Sequence, residues 1–129
     1  MIVKPDCMSQ GKGIFLTNDI DNIPPHETFV VQEYMRNPFL IDNLKFDMRL
    51  YVVVFSAEPL KIMLFKDGIV RFATQPYNSP NLDSPDKNFK NLTMHLTNYA
   101  VNKEDDLFNN PKSIDDPKAH KRSLKVVLE

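Results

Sequence analysis

Apolar and charged positions alternate most strictly at Lys45-Phe46-Asp47-Met48-Arg49-Leu50, after which the chain is continuously apolar from Tyr51 to Phe55. Period-two alternation puts Lys45, Asp47 and Arg49 on one face of an extended strand and Phe46, Met48 and Leu50 on the other. The apolar run that follows calls for burial. A turn at Ser56-Ala57-Glu58-Pro59, a second strand over Leu60–Phe65, an Asp67-Gly68 hairpin signal and a third strand over Ile69–Ala73 predict an antiparallel meander. Arg71 emerges among apolar neighbours on that third strand. If it shares the face of Lys45, Asp47 and Arg49, three strands converge on one anionic ligand; an exposed ion pair accounts for it equally well.

The same reading applied to the remainder predicts an N-terminal hairpin, with Ile2–Lys4 and Ile14–Leu16 flanking the loop Cys7-Met8-Ser9-Gln10-Gly11-Lys12-Gly13. Its glycines let backbone N–H groups approach an anion, with Lys4 and Lys12 supplying charge, although a plain hairpin turn has the same signature. Asp19 to Glu27, with Pro24-Pro25, suits a loop or a short helix. Phe29–Met35 is β-branched and aromatic enough for a strand buried over most of its length, and Gln32 and Glu33 at its polar end either border a ring such as adenine or simply surface. Arg36 to Leu44 is a connection, and the proline-rich Thr74 to Phe89 a surface loop. In Met94–Lys103, His95, Thr97 and Asn98 suit a sugar, an amino acid or a metal-bound phosphate, although a lone histidine such as His95 is more often structural. Glu104 to Lys118 is an acidic connection, and Lys121 to Glu129 has the spacing of an amphipathic helix. The chain reads as cut at both ends.

Composition narrows the function classes. At 129 residues, 42% hydrophobic and 26% charged, the chain has the size of one soluble domain. Its 16 basic and 17 acidic residues leave a net charge of -1, so no overall field draws it to nucleic acid or to an anionic membrane. The single Cys7 excludes an internal disulfide framework and a cysteine-rich zinc site. No run of 18 apolar residues and no signal-peptide core is present, and the expected location is the cytoplasm. The Lys45 face therefore carries the chemical interest. Two cations with a carboxylate between them suit a polyphosphate with its metal ion or ribose, and equally a solvated face with a cross-strand ion pair.

Taken together, Lys4-Pro5-Asp6 with Gln10-Gly11-Lys12-Gly13-Ile14, Gln32-Glu33-Tyr34-Met35, Lys45-Phe46-Asp47-Met48-Arg49, Arg71-Phe72-Ala73-Thr74 and His95-Leu96-Thr97-Asn98-Tyr99 resemble, in order and spacing, the tubulin tyrosine ligase-like family. The likeness runs from Ile2 to about Lys125. Leu50-Tyr51-Val52, the Arg71 motif and Gln10 before Gly11 are more similar to its polyglutamylases than to its glycylases or the tyrosine ligase.

The resemblance implies an α+β chain, a partial ATP-grasp fold, mainly antiparallel sheet with few helices, forming the central part of the catalytic domain over residues 1–129. It implies an ATP-dependent ligase that phosphorylates a carboxylate and lets the amine of free glutamate attack the acyl phosphate, with glutamate side chains of tubulin as acceptor. By motif, Lys4 and the flap Gln10, Gly11, Lys12, Gly13 and Ile14 would hold the ATP phosphates, and Gln32, Glu33, Tyr34 and Met35 would line the adenine site. Lys45, Phe46 and Asp47 would belong to the nucleotide site, with Arg49 near the transferring phosphoryl group and Arg71 on that group or the substrate glutamate. Thr97 and Asn98 would stand at the boundary of ATP and substrate, and Tyr99 and Lys121 would contact glutamate. The family's Mg²⁺ ligands are expected outside this segment, so this chain alone is expected to have little or no ligase activity and to expose apolar sheet surface. The expected protein is a monomer in the cytoplasm, on microtubules or at the cilium or flagellar basal body, and it binds neither nucleic acid nor membrane. A non-catalytic nucleotide- or tubulin-binding module, or an ATP-grasp ligase with another protein acceptor, are the alternatives.

Overall fold

The computed structural model describes residues 1–80, 87–110 and 113–129. Two antiparallel sheets carry the chain. In the first, β1 (Ile2–Pro5) lies between β2 (Phe15–Leu16) and β3 (Phe29–Gln32). In the second, the order is β4 (Leu40–Ile41), β5 (Leu44–Ala57), β6 (Leu60–Phe72) and β7 (Lys121–Ser123). The helical pieces are short: single 3-10 turns at Ile20–Asn22 and Lys87–Lys90, then α1 (Leu92–His95), α2 (Tyr99–Asn102) and α3 (Leu124–Leu128). This is an α+β chain dominated by antiparallel sheet, consistent with a partial ATP-grasp-like fold.

The N-terminal hairpin forms as its pattern predicts, with Ile2 opposite Leu16 and Val3 opposite Phe15. Its loop is shaped by backbone that only glycine adopts without strain: Gly11 has φ of 84° and Gly13 of 70°, and Gln10 joins them at 61°. A Cβ on Gly11 would stand 2.9 Å from Val101 Cγ2, so the loop lies directly on α2.

Four expectations are corrected. The Asp67-Gly68 pair is not a hairpin turn. Instead, β6 runs through it unbroken, and its two halves pair with the two halves of β5. The register passes from Leu50 opposite Gly68 to Val52 opposite Leu64, two residues on β5 against four on β6, so the extra residues form an irregular bulge. Asp67 Oδ1 accepts from the Gly68 N–H at 2.7 Å and from the Lys125 N–H at 3.3 Å, so its carboxylate serves α3 rather than a tight turn. The Phe29–Met35 segment is strand only to Gln32 and lies at a sheet edge, where Val30 and Val31 are exposed. The apolar run at the end of β5 is bare as well, with Val52 58% and Phe55 65% exposed. The C-terminal segment also divides: Lys121–Ser123 adds a strand to β6 before the helix starts, with Ser123 Oγ capping it by accepting from the Val126 N–H.

The packed interior sits where the two sheets and the short helices meet. Ile2, Leu16, Tyr34 and Leu96 form one buried cluster, lined by Ile14, Tyr77, Phe89, Leu92 and Val101. Val70 and Phe72 are the buried residues of β6, at 0% and 1% exposure. The Arg122 guanidinium lies 4.1 Å from the centre of the Phe72 ring, donates to the Ala119 carbonyl at 2.7 Å and pairs with Asp42 at 3.2 Å. A buried cation held in this way locks β7 to β6 and to the turn before β5.

Candidate functional site

Residues facing each other across β5, β6 and β7 form the first part of the site. Asp47 is opposite Arg71, and Arg71 is opposite Lys121, so one carboxylate and two cations stand in a row across three strands. Alternation along β5 brings Arg49 to the same face. Arg71 is held bidentately: its Nε donates to Asp47 Oδ1 at 3.0 Å and a terminal amine to Oδ2 at 2.5 Å. The Asp47 carboxylate holds the Arg71 guanidinium above its ordinary pKa. Among the described residues neither Arg49 nor Lys121 has an ion-pair partner, which leaves this face with a surplus of positive charge.

That face opens into a cleft of about 270 Å³. Arg49, Arg71, Thr97, Tyr99 and Lys121 all line it, five positions singled out by sequence and drawn from four separate segments. A neighbouring cleft of about 300 Å³ is lined by Gln10, Asn98 and Tyr99 and shares Arg71 with the first, so the glycine loop borders the same cationic centre. The apolar wall comes from Tyr51, Ile69 and Phe108. A small anionic molecule with an aliphatic stem fits such a lining.

The second part of the site lies where the two sheets meet. Lys45 Nζ donates to the Tyr34 hydroxyl at 3.1 Å and stands 4.5 Å from the centre of its ring. The Tyr34 hydroxyl is in turn 2.9 Å from His95 Nδ1. Burial lowers the pKa of the Lys45 ammonium, and the nearby Lys4 lowers it further. Burial pushes the Tyr34 phenol far above its usual range. Lys4 Nζ donates to Gln32 Oε1 at 2.9 Å. Glu33 and Tyr34 border a cleft of about 390 Å³ with Leu16 and Phe89 as its apolar side. Tyr34 connects this cleft to Lys45, and Arg36 is the cation on its lining.

Other sequence-derived candidates stand apart from these clefts. Phe46 points to the opposite face and packs against Phe72, with ring centres 5.7 Å apart. Ile14 packs on the buried cluster, Met35 is exposed beside the Tyr34 cleft, and Lys12 and Gly13 lie in the loop with Lys12 exposed. Sequence reasoning missed Asn102 and His120. Asn102 is buried and fully bonded: its Oδ1 accepts from the Thr74 N–H at 2.9 Å and the Thr74 hydroxyl at 2.6 Å, while its Nδ2 donates to the carbonyls of Leu96 and Asn98. His120 lines the Arg71 cleft, stacks on Phe108 and accepts from the Asn109 N–H at 2.9 Å through Nδ1. Burial, and then Arg122, lower its pKa. Neither residue carries a local pattern that marks it: the Thr74 partner of Asn102 and the place of His120 in the Arg71 cleft arise only on folding.

An antiparallel sheet with a cationic row, a glycine loop against it and a second pair of cations at the sheet junction gather positive charge on one side of the chain. A sequence profile of the tubulin-tyrosine ligase family matches residues 1–128. The chain belongs to that family. It is similar to a probable beta-tubulin polyglutamylase of Tetrahymena thermophila, with 48% identity over 130 residues that cover 99% of this chain and 10% of the relative. It is 47% identical to the tubulin polyglutamylase TTLL13 of Mus musculus over 107 residues, covering 83% of this chain and 13% of that protein. The mouse tubulin polyglutamylase TTLL7 is 44% identical over 128 residues, 99% of this chain and 13% of the relative. The chain thus spans only a small part of the length of these relatives. No helix among the described residues is long and apolar enough to cross a membrane.

Proposed function

We propose that this chain supplies the central part of the nucleotide and amino-acid sites of a polyglutamylase, a ligase that uses ATP to join free glutamate to glutamate side chains of tubulin. The observation that carries this reading is the cleft in which Arg49, Arg71 and Lys121 meet Tyr99. It combines surplus positive charge with an aliphatic and aromatic wall, which suits an acidic amino acid beside a transferring phosphoryl group. Membership of the family and likeness to tubulin polyglutamylases support the reaction class.

The residues present fit the phosphates of ATP. Lys4 and Lys45 supply two cations at the sheet junction, the loop of positive φ brings Gln10 to the Arg71 side, and Glu33 and Tyr34 border the cleft for the base. Bound ATP supplies the phosphoryl group that activates the acceptor carboxylate. Arg49 neutralises charge that develops during that transfer, and Arg71, held by Asp47, presents a fixed guanidinium to the same centre. Thr97 and Asn98 stand between the two clefts, and Tyr99 and Lys121 orient glutamate. Mg²⁺ would be held by groups outside this chain; among the described residues no cluster of three or more histidine, cysteine or carboxylate side chains is placed to bind a metal. The protein would act at microtubules.

Calorimetric titration of ATP with Mg²⁺, then of glutamate in its presence, tests the proposal. Saturable ATP binding should be lost in the Lys45→Ala, Asp47→Ala double variant, and glutamate binding should fall at least tenfold in Arg71→Ala. Glutamate binding that is unchanged by Arg71→Ala would remove the amino-acid assignment of the cleft.

A further inference from the structure

The buried His95 is a titratable group that the reaction outlined above does not use, and its surroundings give it a role. It is 1% exposed, and the rings of Tyr34 and Tyr77 meet it edge-on with centres 5.5 and 5.7 Å away. Its Nδ1 is 2.9 Å from the Tyr34 hydroxyl, and that hydroxyl is 3.1 Å from Lys45 Nζ. An ammonium can only donate, so the Tyr34 oxygen accepts from Lys45, and the same hydroxyl also meets His95 Nδ1 and the Tyr77 side chain. Tyr34, Lys45 and His95 are thus joined in one chain of contacts that ends on a cation beside Lys4.

We propose that Tyr34 and His95 are positioning residues for Lys45, forming a relay that fixes the ammonium where it meets the phosphates of a nucleoside triphosphate. This rests on the nucleotide reading given above. A lysine stem turns freely, and an ammonium facing another cation tends to swing out to water; Tyr34 opposes this with both a hydrogen bond and its ring face. His95 holds the phenol together with Tyr77, since a buried hydroxyl bonded on its inner side keeps the direction that receives Lys45. The relay also connects α1 to the site, which gives the His95-Leu96-Thr97-Asn98 segment a purpose at both clefts: His95 at the phosphates, Thr97 and Asn98 at the Arg71 centre.

The test compares ATP and adenosine as probes, by calorimetry, on the protein and on Tyr34→Phe, Lys45→Met and the double variant. Near-UV circular dichroism confirms folding. Tyr34→Phe keeps the ring and removes only the hydroxyl, so it should weaken ATP about tenfold, leave adenosine within about twofold, and add nothing further in the Lys45→Met background. His95→Asn, which keeps an acceptor near the position of Nδ1, should retain more ATP affinity than His95→Leu. ATP binding unchanged in a folded Tyr34→Phe overturns the relay and leaves the nucleotide site standing. The same follows if the Tyr34→Phe loss adds fully to that of Lys45→Met. If the unaltered protein binds no ATP, the nucleotide reading itself falls, and the relay with it.

Discussion

The β5–β6 hairpin has two halves of similar strand propensity and opposite surroundings. In the half near the sheet junction, Phe46 to Leu50 faces Gly68 to Phe72, and β4, β7 and α3 complete the layer. In the far half, Val52 to Ala57 faces Leu60 to Leu64 with apolar side chains exposed on both faces, from Val53 and Phe55 to Ile62 and Leu64. Strand propensity is as high in the second half as in the first, so pairing alone does not account for packing. Each half has its ladder of hydrogen bonds. What distinguishes the near half is that other elements reach it: Arg122 covers Phe72, and Ser123 of β7 pairs with Ile69. All the charged residues of the Arg71 cleft lie on that covered half or on the elements that cover it.

The contrast is broken most directly by truncating one phenylalanine in each half. Phe72→Ala should cost roughly 3–5 kcal/mol in chemical unfolding, because the ring is buried beneath a cation and leaves a cavity. Phe55→Ala should stay within about 0.5 kcal/mol, since the ring already lies in water. A large cost at Phe55 would show that the far half is covered in solution, and the comparison would fail. Asn102→Ala comes next, at about 2 kcal/mol by the same measurement. It leaves the Thr74 N–H and hydroxyl at the end of β6 without their buried acceptor.

A further small effect is one of pH. The His120 backbone carbonyl accepts from the Phe72 N–H at 2.9 Å, so this histidine belongs to the covered half. Its pKa is lowered from 6.5 by burial and by Arg122, while Asp105 opposes the shift. The folded state therefore binds the proton less readily than the unfolded chain. Its contribution is fully present above pH 6.5 and is lost as pH falls through the folded pKa. Between pH 7.5 and 5 the loss should be below about 1 kcal/mol, because the ring is only half-buried and solvent screens it. Urea unfolding at both pH values should show the difference in the natural chain and a flatter profile in His120→Gln. An equal pH dependence in both proteins would assign the effect to another group.

Local pattern was enough to place the N-terminal hairpin, the turn between β5 and β6 at Glu58-Pro59, and the shared face of Lys45, Asp47 and Arg49, because side-chain alternation in a strand is fixed by the backbone itself. The motifs also carried the resemblance to the family whose profile matches residues 1–128. Pattern failed at Asp67-Gly68, where a turn signal is overridden because the Asp67 carboxylate finds the backbone N–H of Lys125, a residue distant in sequence. It failed again at Phe29–Met35 and Tyr51–Phe55, since an apolar run states a preference for burial without supplying the surface that satisfies it.

The sequence by itself therefore determined which residues share a face and which family they belong to. Only the tertiary structure decided that Arg71 stands between Asp47 and Lys121, that Tyr34 joins Lys45 to His95, and that Asn102 and His120 matter at all. The reason is physical. Facing within one strand follows from its period of two, whereas a contact between strands or helices depends on register and packing, which no single segment specifies.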